Sequence, residues 1–306
     1  MALRDDASVT LALPMKIPAV PSHVWTVSAP GLFVVLWSTG FIAAKGGLPY
    51  AGPLTFLCVR FAVVTSLMLL VALVVRAPWP RPSDAGHIAV VGLLMHGAYL
   101  GGVFTSLALG LPAGVSALIV GLQPLLTATI VGPLLGERVN ARQWLGLVIG
   151  LLGVTMVLAD KLAFDRTTVW AIALSLIALV GITAGTLYQK RFCAHADLRT
   201  GAVIQYAAAG LAIFVLALSL ESLRVEWTWQ FIAAFMWLSL VLSVGAVSLL
   251  YLLIRRGAAA KVASLFYLVP PFTALFAWIL FGETLGVLAI AGIAAAALGV
   301  ALVQRG

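Results

Sequence analysis

The chain reads ALIVGLQPLLTATIVGPLLGERVNARQWLGLVIGLLGVTMV over residues 117–157 and ASLFYLVPPFTALFAWILFGETLGVLAIAGIAAAALGVALV over residues 263–303. The two stretches align without a gap at an offset of 146 residues, and 13 of the 41 positions are identical. The matches that are hardest to obtain by chance in an apolar sequence are Pro124/Pro270, Thr127/Thr273, Ala128/Ala274, Gly136/Gly282, Glu137/Glu283, Gly146/Gly292 and Gly153/Gly299. A self-match at a fixed offset indicates an internal duplication.

The duplication extends more weakly to the beginning of each half. At an offset of 145 residues, Gly40 matches Gly185 and Lys45 matches Lys190. The sequence therefore predicts an N-terminal tail and two equivalent halves. The tail comprises residues 1–26, the first half residues 27–159 and the second half residues 160–306.

The composition indicates that most of the chain lies in lipid. Of 306 residues, 63% are hydrophobic and 9% are charged, and the mean hydropathy is +1.14. A helix needs about 20 apolar residues to cross a bilayer, and ten windows of this kind occur. In chain order, the ten predicted spans are residues 27–44, 54–75, 87–108, 114–135, 142–159, 168–189, 200–220, 230–252, 262–281 and 286–303. The sequence thus predicts an all-α membrane protein with ten transmembrane helices.

Five spans in each half is an odd number, so the second half is expected to enter the membrane from the opposite side. Such inverted repeats allow two equivalent conformations, one open to each side of the membrane, and this is the basis of alternating access. From the symmetry we expect the substrate pathway between spans one, three and four of the first half and spans six, eight and nine of the second.

The basic residues predict the orientation. Thirteen Lys and Arg residues fall on the side of the N-terminus and four on the other side. By the positive-inside rule, both termini are expected in the cytoplasm. The net charge of +8 is spread over these short loops rather than collected on one surface, so no nucleic-acid partner is expected.

Several motifs resemble a known transporter superfamily. They are Leu36-Trp37-Ser38-Thr39-Gly40-Phe41 followed by Lys45, then Pro53-Leu54-Thr55-Phe56 with Arg60-Phe61, and the Pro/Gly-Glu/Gly-Gly pattern that occurs twice. The chain is similar to the drug/metabolite transporter superfamily, in particular to its EamA-type branch of ten-span bacterial exporters. The resemblance implies a multi-pass protein of the bacterial cytoplasmic (inner) membrane that exports small metabolites. It favours amino acids, above all aromatic ones, as substrates.

Polar and aromatic side chains inside the spans are the candidates for substrate contact, because exposing polar groups to acyl chains is unfavourable. His96 and Tyr99 share one helical face of span three. Trp37 lies near mid-membrane, away from the interfaces where Trp usually collects. The predicted substrate-binding residues are Trp37, Thr39, His96, Tyr99, Gln123, Thr183, Thr186, Ser248 and Tyr267. Each could instead serve helix packing.

A second group is predicted to be structural or to act in gating. These residues are Lys45, Arg60, Pro124, Glu137, Pro270 and Glu283. Lys45 is expected to cap a helix end, and Pro124, which lacks a backbone N–H group, to leave the carbonyl one turn earlier without a hydrogen bond. For Arg60, inside span two, two roles stay open: the side chain either snorkels outward as an anchor or receives a carboxylate.

The carboxylates limit the function. All ten Asp and Glu residues lie in tails, loops or helix ends, so no predicted span contains one. Proton-coupled export of cationic drugs typically needs an intramembrane carboxylate, so a neutral or zwitterionic substrate fits better. Proton-coupled multidrug or metabolite efflux and a non-transporting membrane receptor remain the alternatives. If protons are coupled, His96 is the mid-span group that titrates near neutral pH.

Enzymatic and redox functions receive no support from the sequence. The four histidines are scattered, so neither catalysis nor a metal site is expected, and no cofactor is implied. Cys58 is predicted within span two and Cys193 in a loop on the opposite side, so a disulfide between them is geometrically implausible. The expected partners are a small-molecule substrate and the lipid bilayer, and the sequence does not distinguish a monomer from a homodimer.

Overall fold

The computed structural model describes residues 22–111, 113–158, 168–281 and 286–306. Within these ranges the chain forms fourteen α-helices and no β-strand. The helices of the first half are α1 (Ser22–Gly47), α2 (Pro53–Val74), α3 (Pro82–Gly92), α4 (Tyr99–Ala108), α5 (Ala113–Val120), α6 (Gln123–Leu135) and α7 (Ala141–Leu158). Those of the second half are α8 (Thr168–Phe192), α9 (Leu198–Leu220), α10 (Trp229–Met236), α11 (Val247–Arg256), α12 (Ala259–Ser264), α13 (Val269–Phe281) and α14 (Val287–Arg305).

Many of these helices can cross a membrane. Among the described residues, seven helical segments are long and apolar enough to do so, and two further apolar helices are shorter. The seven are Ser28–Tyr50, Pro53–Val74, Pro82–Ala108, Val169–Phe192, Leu198–Leu220, Trp229–Arg256 and Val287–Arg305, and the shorter two are Gln123–Leu135 and Ala141–Met156. The predicted all-helical membrane architecture is confirmed. The count of ten spans and the side of each terminus stay predictions.

Predicted spans four and nine are interrupted rather than continuous. In span four, α5 ends at Val120 and α6 starts at Gln123 after a turn. In span nine, α12 passes through a 3₁₀ segment, Leu265–Leu268, before α13. Pro124 and Pro270 each occupy the second position after the break. Proline lacks an N–H group, so it fits best in the first turn of a new helix, which is where both prolines lie.

Predicted spans three and eight contain π-helical segments. Leu93–Ala98 joins α3 to α4, and Trp237–Ala246 joins α10 to α11. In a π-helix each backbone N–H bonds to the carbonyl five residues earlier, and such segments occur frequently at functional sites. The two segments occupy equivalent places in the two halves.

The two halves meet closely where α7 packs along α14. A Cβ atom added to Gly299 would lie 2.5 Å from the carbonyl oxygen of Gly146, and one added to Gly146 would lie 2.6 Å from that of Gly299. Gly153 is likewise 2.6 Å, measured from its added Cβ, from the carbonyl of Gly292. The contacts run in opposite order along the two helices, so α7 and α14 are antiparallel. Gly146 thus faces Gly299, the repeat counterpart of Gly153, and Gly153 faces Gly292, the repeat counterpart of Gly146. This exchange is the two-fold relation of an isologous contact.

Two glutamates bind helix N-termini at different places in the bundle. The Glu221 carboxylate accepts hydrogen bonds from the backbone N–H groups of Leu54 and Thr55 at the start of α2, at 2.9 and 2.8 Å. The Glu137 carboxylate accepts one from the N–H of Ala259 at the start of α12, at 2.9 Å. Carboxylates at these positions satisfy unpaired N–H groups and interact favourably with the helix dipole.

Candidate functional site

A cavity of about 50 Å³, lined mostly by buried residues, lies between spans one, two, three and eight. A volume of this size holds a few water molecules and is too small for an amino acid. The cavity is lined by Trp37, Gly40, Phe41, Ala44, Arg60, Met95, His96, Tyr99, Leu100, Val103, Phe104, Leu238, Leu242 and Val247. Both π-helical segments contribute lining residues.

One wall of the cavity is aromatic. The rings of Trp37 and Tyr99 are stacked, with 6.3 Å between centroids and 13° between planes. Phe266 contacts Trp37 edge-on, with 5.4 Å between centroids. On the far side, Trp37, Phe41 and Tyr99 also line a smaller cavity of about 10 Å³ beside the breaks in spans four and nine. These side chains therefore separate two adjacent cavities.

The opposite wall carries His96 and Arg60. The His96 side chain is 1% exposed, and its ring stacks on Tyr206 with 4.1 Å between centroids and 17° between planes. Its Nε2 atom has no hydrogen-bond partner. An unpaired buried nitrogen is unfavourable, so it marks a position where a bound molecule would gain a hydrogen bond.

Arg60 points into the bundle. It is 3% exposed, and its Nε donates to Ser243 Oγ at 3.0 Å. Tyr206 donates its hydroxyl proton to the carbonyl of the same serine, also at 3.0 Å. The alternative that Arg60 snorkels outward is therefore wrong, because its guanidinium is held between α2 and the π-helical segment of span eight.

The charge of Arg60 is not balanced inside the cavity. Across the part of the chain that the structure describes, no carboxylate lines the cavity or pairs with Arg60. The lining is otherwise apolar apart from His96 and the polar edges of Trp37 and Tyr99. The cavity can therefore accept an anionic group and an apolar body.

Gln123, Thr183 and Thr186, predicted to bind substrate, form a separate cluster. The Gln123 amide donates to Thr186 Oγ1 at 3.4 Å. The Thr183 and Thr186 hydroxyls donate to carbonyls one turn earlier in α8, those of Leu179 and Ile182. None of the three lines the main cavity, because neither α6 nor α8 contributes a residue to it. Of the spans expected to form the pathway, one, three and eight line this cavity and four, six and nine do not, while span two adds Arg60.

Thr39, Ser248 and Tyr267 also lie away from the cavity lining. Thr39 faces outward on α1 and accepts a hydrogen bond from the indole N–H of Trp237 at 2.8 Å. Ser248 is half-buried in α11. Tyr267 is fully buried against Gly150, and its hydroxyl has no partner among the described residues. Their helical positions place them on other faces than the one that lines the cavity.

The residues predicted to be structural have different surroundings. Glu137 forms an ion pair with Lys190, Lys45 is exposed at the end of α1, and Pro124 is buried. Pro270 lines the smaller cavity. Glu283 lies outside the described residues.

A buried polar chain next to the cavity was missed by the sequence analysis. Tyr251 donates to Gln205 Oε1 at 2.7 Å. The Gln205 amide donates to Gln189 Oε1 at 3.3 Å, and the Gln189 amide donates to the carbonyl of Cys193 at 3.3 Å. Gln189 and Gln205 lie within or at the end of apolar spans, and glutamines at such positions are the signal that could have identified them.

A family model and the similar known proteins agree in describing transporters. The model of the EamA-like transporter family matches residues 30–159 and again residues 169–305. An uncharacterized transporter, YvbV of Bacillus subtilis, is 26% identical over 261 residues, which is 85% of each chain. A probable amino-acid metabolite efflux pump of Salmonella typhimurium is 25% identical over 85% of this chain and 88% of its own. The uncharacterized inner membrane transporter YedA of Escherichia coli K12 is 26% identical over 82% of this chain and 81% of its own.

One solved crystal structure has the same fold. It superposes with a TM-score of 0.75 at 20% sequence identity, and covers 91% of this chain and 96% of its own. At this identity the likeness concerns the fold alone.

Proposed function

The chain belongs to the EamA-like transporter family of the drug/metabolite transporter superfamily, and we propose that it exports neutral or zwitterionic amino acids, preferentially aromatic ones. It is a multi-pass membrane protein. We place it in the cytoplasmic membrane of a bacterium with both termini in the cytoplasm, in agreement with the distribution of its basic residues.

The main cavity carries this proposal. Its Trp37 and Tyr99 rings offer flat apolar surfaces on which an aromatic side chain can stack. His96 offers a nitrogen without a partner. Among the described lining residues no carboxylate is present to attract a cationic drug or to exchange protons for one. The relative named as a probable amino-acid metabolite efflux pump supports the same substrate class.

Two features support a mechanism of alternating access, the size of the cavity and the relation between the halves. A cavity of about 50 Å³ must enlarge before it can hold an amino acid. The antiparallel contact between α7 and α14 provides a two-fold axis about which the halves can exchange conformations. The breaks in spans four and nine lie beside the smaller cavity, where such a change would open a path.

Transport in liposomes tests the proposal. Purified protein is reconstituted, and uptake of radiolabelled tryptophan, phenylalanine and leucine is compared with that of protein-free liposomes, with and without a pH gradient. We expect uptake of the aromatic amino acids that depends on their own gradient. A strict requirement for a pH gradient together with a preference for amines would favour proton-coupled efflux. Saturable binding without any movement would favour a receptor.

A further inference from the structure

We propose that Arg60 binds the carboxylate of the substrate, so that this transporter selects monocarboxylates with an apolar body and rejects the corresponding amides and amines. The inference rests on the proposed function and makes it more specific, because it names the chemical group that the cavity recognises. It follows from three features of the cavity: an unbalanced buried charge, a fixed guanidinium and an unpaired histidine nitrogen.

The first feature is the buried charge. Arg60 is almost fully buried, and the part of the chain that the structure describes supplies it with no carboxylate. Its one hydrogen bond there, from Nε to Ser243, leaves the two Nη groups without an acceptor. A buried cation without a counter-ion is strongly unfavourable. A substrate carboxylate would supply the missing negative charge.

The second feature is the way in which the guanidinium is held. Ser243 accepts from Arg60 Nε, while the carbonyl of Ser243 accepts from the hydroxyl of Tyr206. The bond from Nε occupies one side of the planar guanidinium and leaves the edge formed by the two Nη groups for a ligand. A guanidinium edge matches the two oxygens of a carboxylate in a bidentate pair, whereas an amide can offer it only one oxygen.

The third feature is the rest of the lining. His96 lines the cavity, and its Nε2 atom, which has no hydrogen-bond partner, can accept a hydrogen bond from the ammonium or amide N–H group of the ligand. Trp37 and Tyr99 supply the aromatic wall for its side chain. One positive side chain and no lining carboxylate favour a ligand whose net charge is zero or negative. A cationic amine or amide would meet Arg60 as a like charge.

A binding experiment on the full chain tests this inference without relying on transport. The purified protein in detergent is titrated with L-tryptophan, N-acetyl-L-tryptophan, L-tryptophan amide and tryptamine, and affinity is measured by calorimetry or by the shift in melting temperature. The four ligands share the indole and differ in the carboxylate and in charge. We expect the two carboxylates to bind at least about tenfold more tightly than the amide and tryptamine. Equal affinities, or no binding of any of the four, would overturn the inference.

Variants connect the selectivity to Arg60. In R60Q we expect the carboxylates to lose about tenfold or more in affinity, so that they no longer differ from the amide. R60K keeps the charge but not the planar edge, and should retain part of the preference. R81Q changes an exposed arginine outside the cavity and should bind as the wild type does. An R60Q protein that melts like wild type and still prefers carboxylates would contradict the assignment.

The outcomes separate this inference from the proposed function. Liposome uptake of tryptophan, tryptophan amide and tryptamine at equal rates would leave export in place and overturn the role of Arg60. Carboxylate-selective binding without uptake would support the role of Arg60 and contradict export of amino acids.

Discussion

The Nζ atom of Lys190 lies 2.5 Å from the Oε1 atom of Glu137, and this ion pair joins the C-terminal end of α8 to the end of α6. Lys190 also donates to the carbonyl of Gly257 at 2.6 Å, and the second oxygen of Glu137 accepts from the N–H of Ala259. Two predicted spans of one half and one of the other are thus tied together by a single pair of side chains.

Replacing Glu137 by Gln should lower thermal stability and leave transport largely intact. The amide oxygen can still accept from Ala259, but the attraction to Lys190 is lost. For a partly exposed pair we expect a loss of about 1 kcal/mol, measured as a lower melting temperature in detergent. Glu226→Gln, at an exposed position, is the matched control. Loss of a proton dependence of transport, without a change in melting temperature, would instead give Glu137 a coupling role.

Removing the Glu221 carboxylate should destabilise the start of α2. It binds two backbone N–H groups of this helix and also accepts from the Thr55 hydroxyl at 2.6 Å. Capping residues typically contribute about 1 kcal/mol, so Glu221→Ala should lower the melting temperature more than Glu226→Ala does. Hydrogen exchange of the first turn of α2, followed by mass spectrometry, should rise in the Glu221 variant. Unchanged exchange would show that the cap is dispensable.

Trp37→Ala and Tyr99→Ala should each reduce transport of aromatic amino acids. The two rings stack on each other and line the cavity, so removing either one takes away half of the aromatic wall. A stacked aromatic pair contributes about 0.5–1.5 kcal/mol beyond its buried area, which corresponds to a several-fold loss of affinity. Trp229→Ala, at a tryptophan that is 76% exposed, serves as the control. Wild-type rates in both variants, with normal folded yield, would remove these residues from the site.

Gly299→Ala should weaken the contact between α7 and α14. The added methyl group would lie 2.5 Å from the Gly146 carbonyl oxygen and 2.5 Å from the Gly150 nitrogen, so the helices would have to move apart. Overpacking of this kind costs about 1–3 kcal/mol. Gly86→Ala, where an added Cβ meets no atom within 4 Å, should be neutral or stabilising. Melting temperatures of the two variants, compared with wild type, decide the matter.

Acid should destabilise the start of α9 through Asp197. The hydrogen bond from the Arg199 side chain, at 2.6 Å from Nη2 to Oδ2, is the main reason that the pKa of Asp197 is lowered. A carboxylate with a lower pKa in the folded state stabilises the protein above its unfolded pKa, and this stabilisation is lost as the pH falls through the folded value. Asp197→Asn should therefore flatten the fall in melting temperature below about pH 4. Arg199→Gln should have the same effect, and a steeper fall in either variant would contradict the assignment.

The sequence predicted the helical architecture well because apolar length alone identifies most spans. It also identified Trp37, His96 and Tyr99, which do meet in one cavity. Which faces of different helices meet cannot be obtained from periodicity when nearly every position is apolar. For that reason the predicted residues Thr39 and Tyr267 do not line this cavity, and Tyr206 and Ser243, which contact Arg60 or His96, were not predicted.

The interruptions of spans four and nine were also missed, although Pro124 and Pro270 were recognised. Hydropathy averages over a window of about 20 residues, so a short break inside an apolar segment leaves no trace in it. Proline indicates where a break is permitted, but the same residue can also start an uninterrupted helix. The role of Arg60 was left between two alternatives because its direction depends on the helix that faces it.

The glycines of α7 and α14 have a consequence for how the two halves can diverge. After a duplication, most positions of one copy can change without regard to the other. In the contact between the copies, Gly146 touches Gly299 and Gly153 touches Gly292. A larger side chain at position 146 would therefore collide with Gly299, the counterpart of Gly153, and one at position 153 would collide with Gly292, the counterpart of Gly146. At this contact between α7 and α14, the two copies must therefore keep mutually compatible small residues, even where the residues that line the cavity diverge.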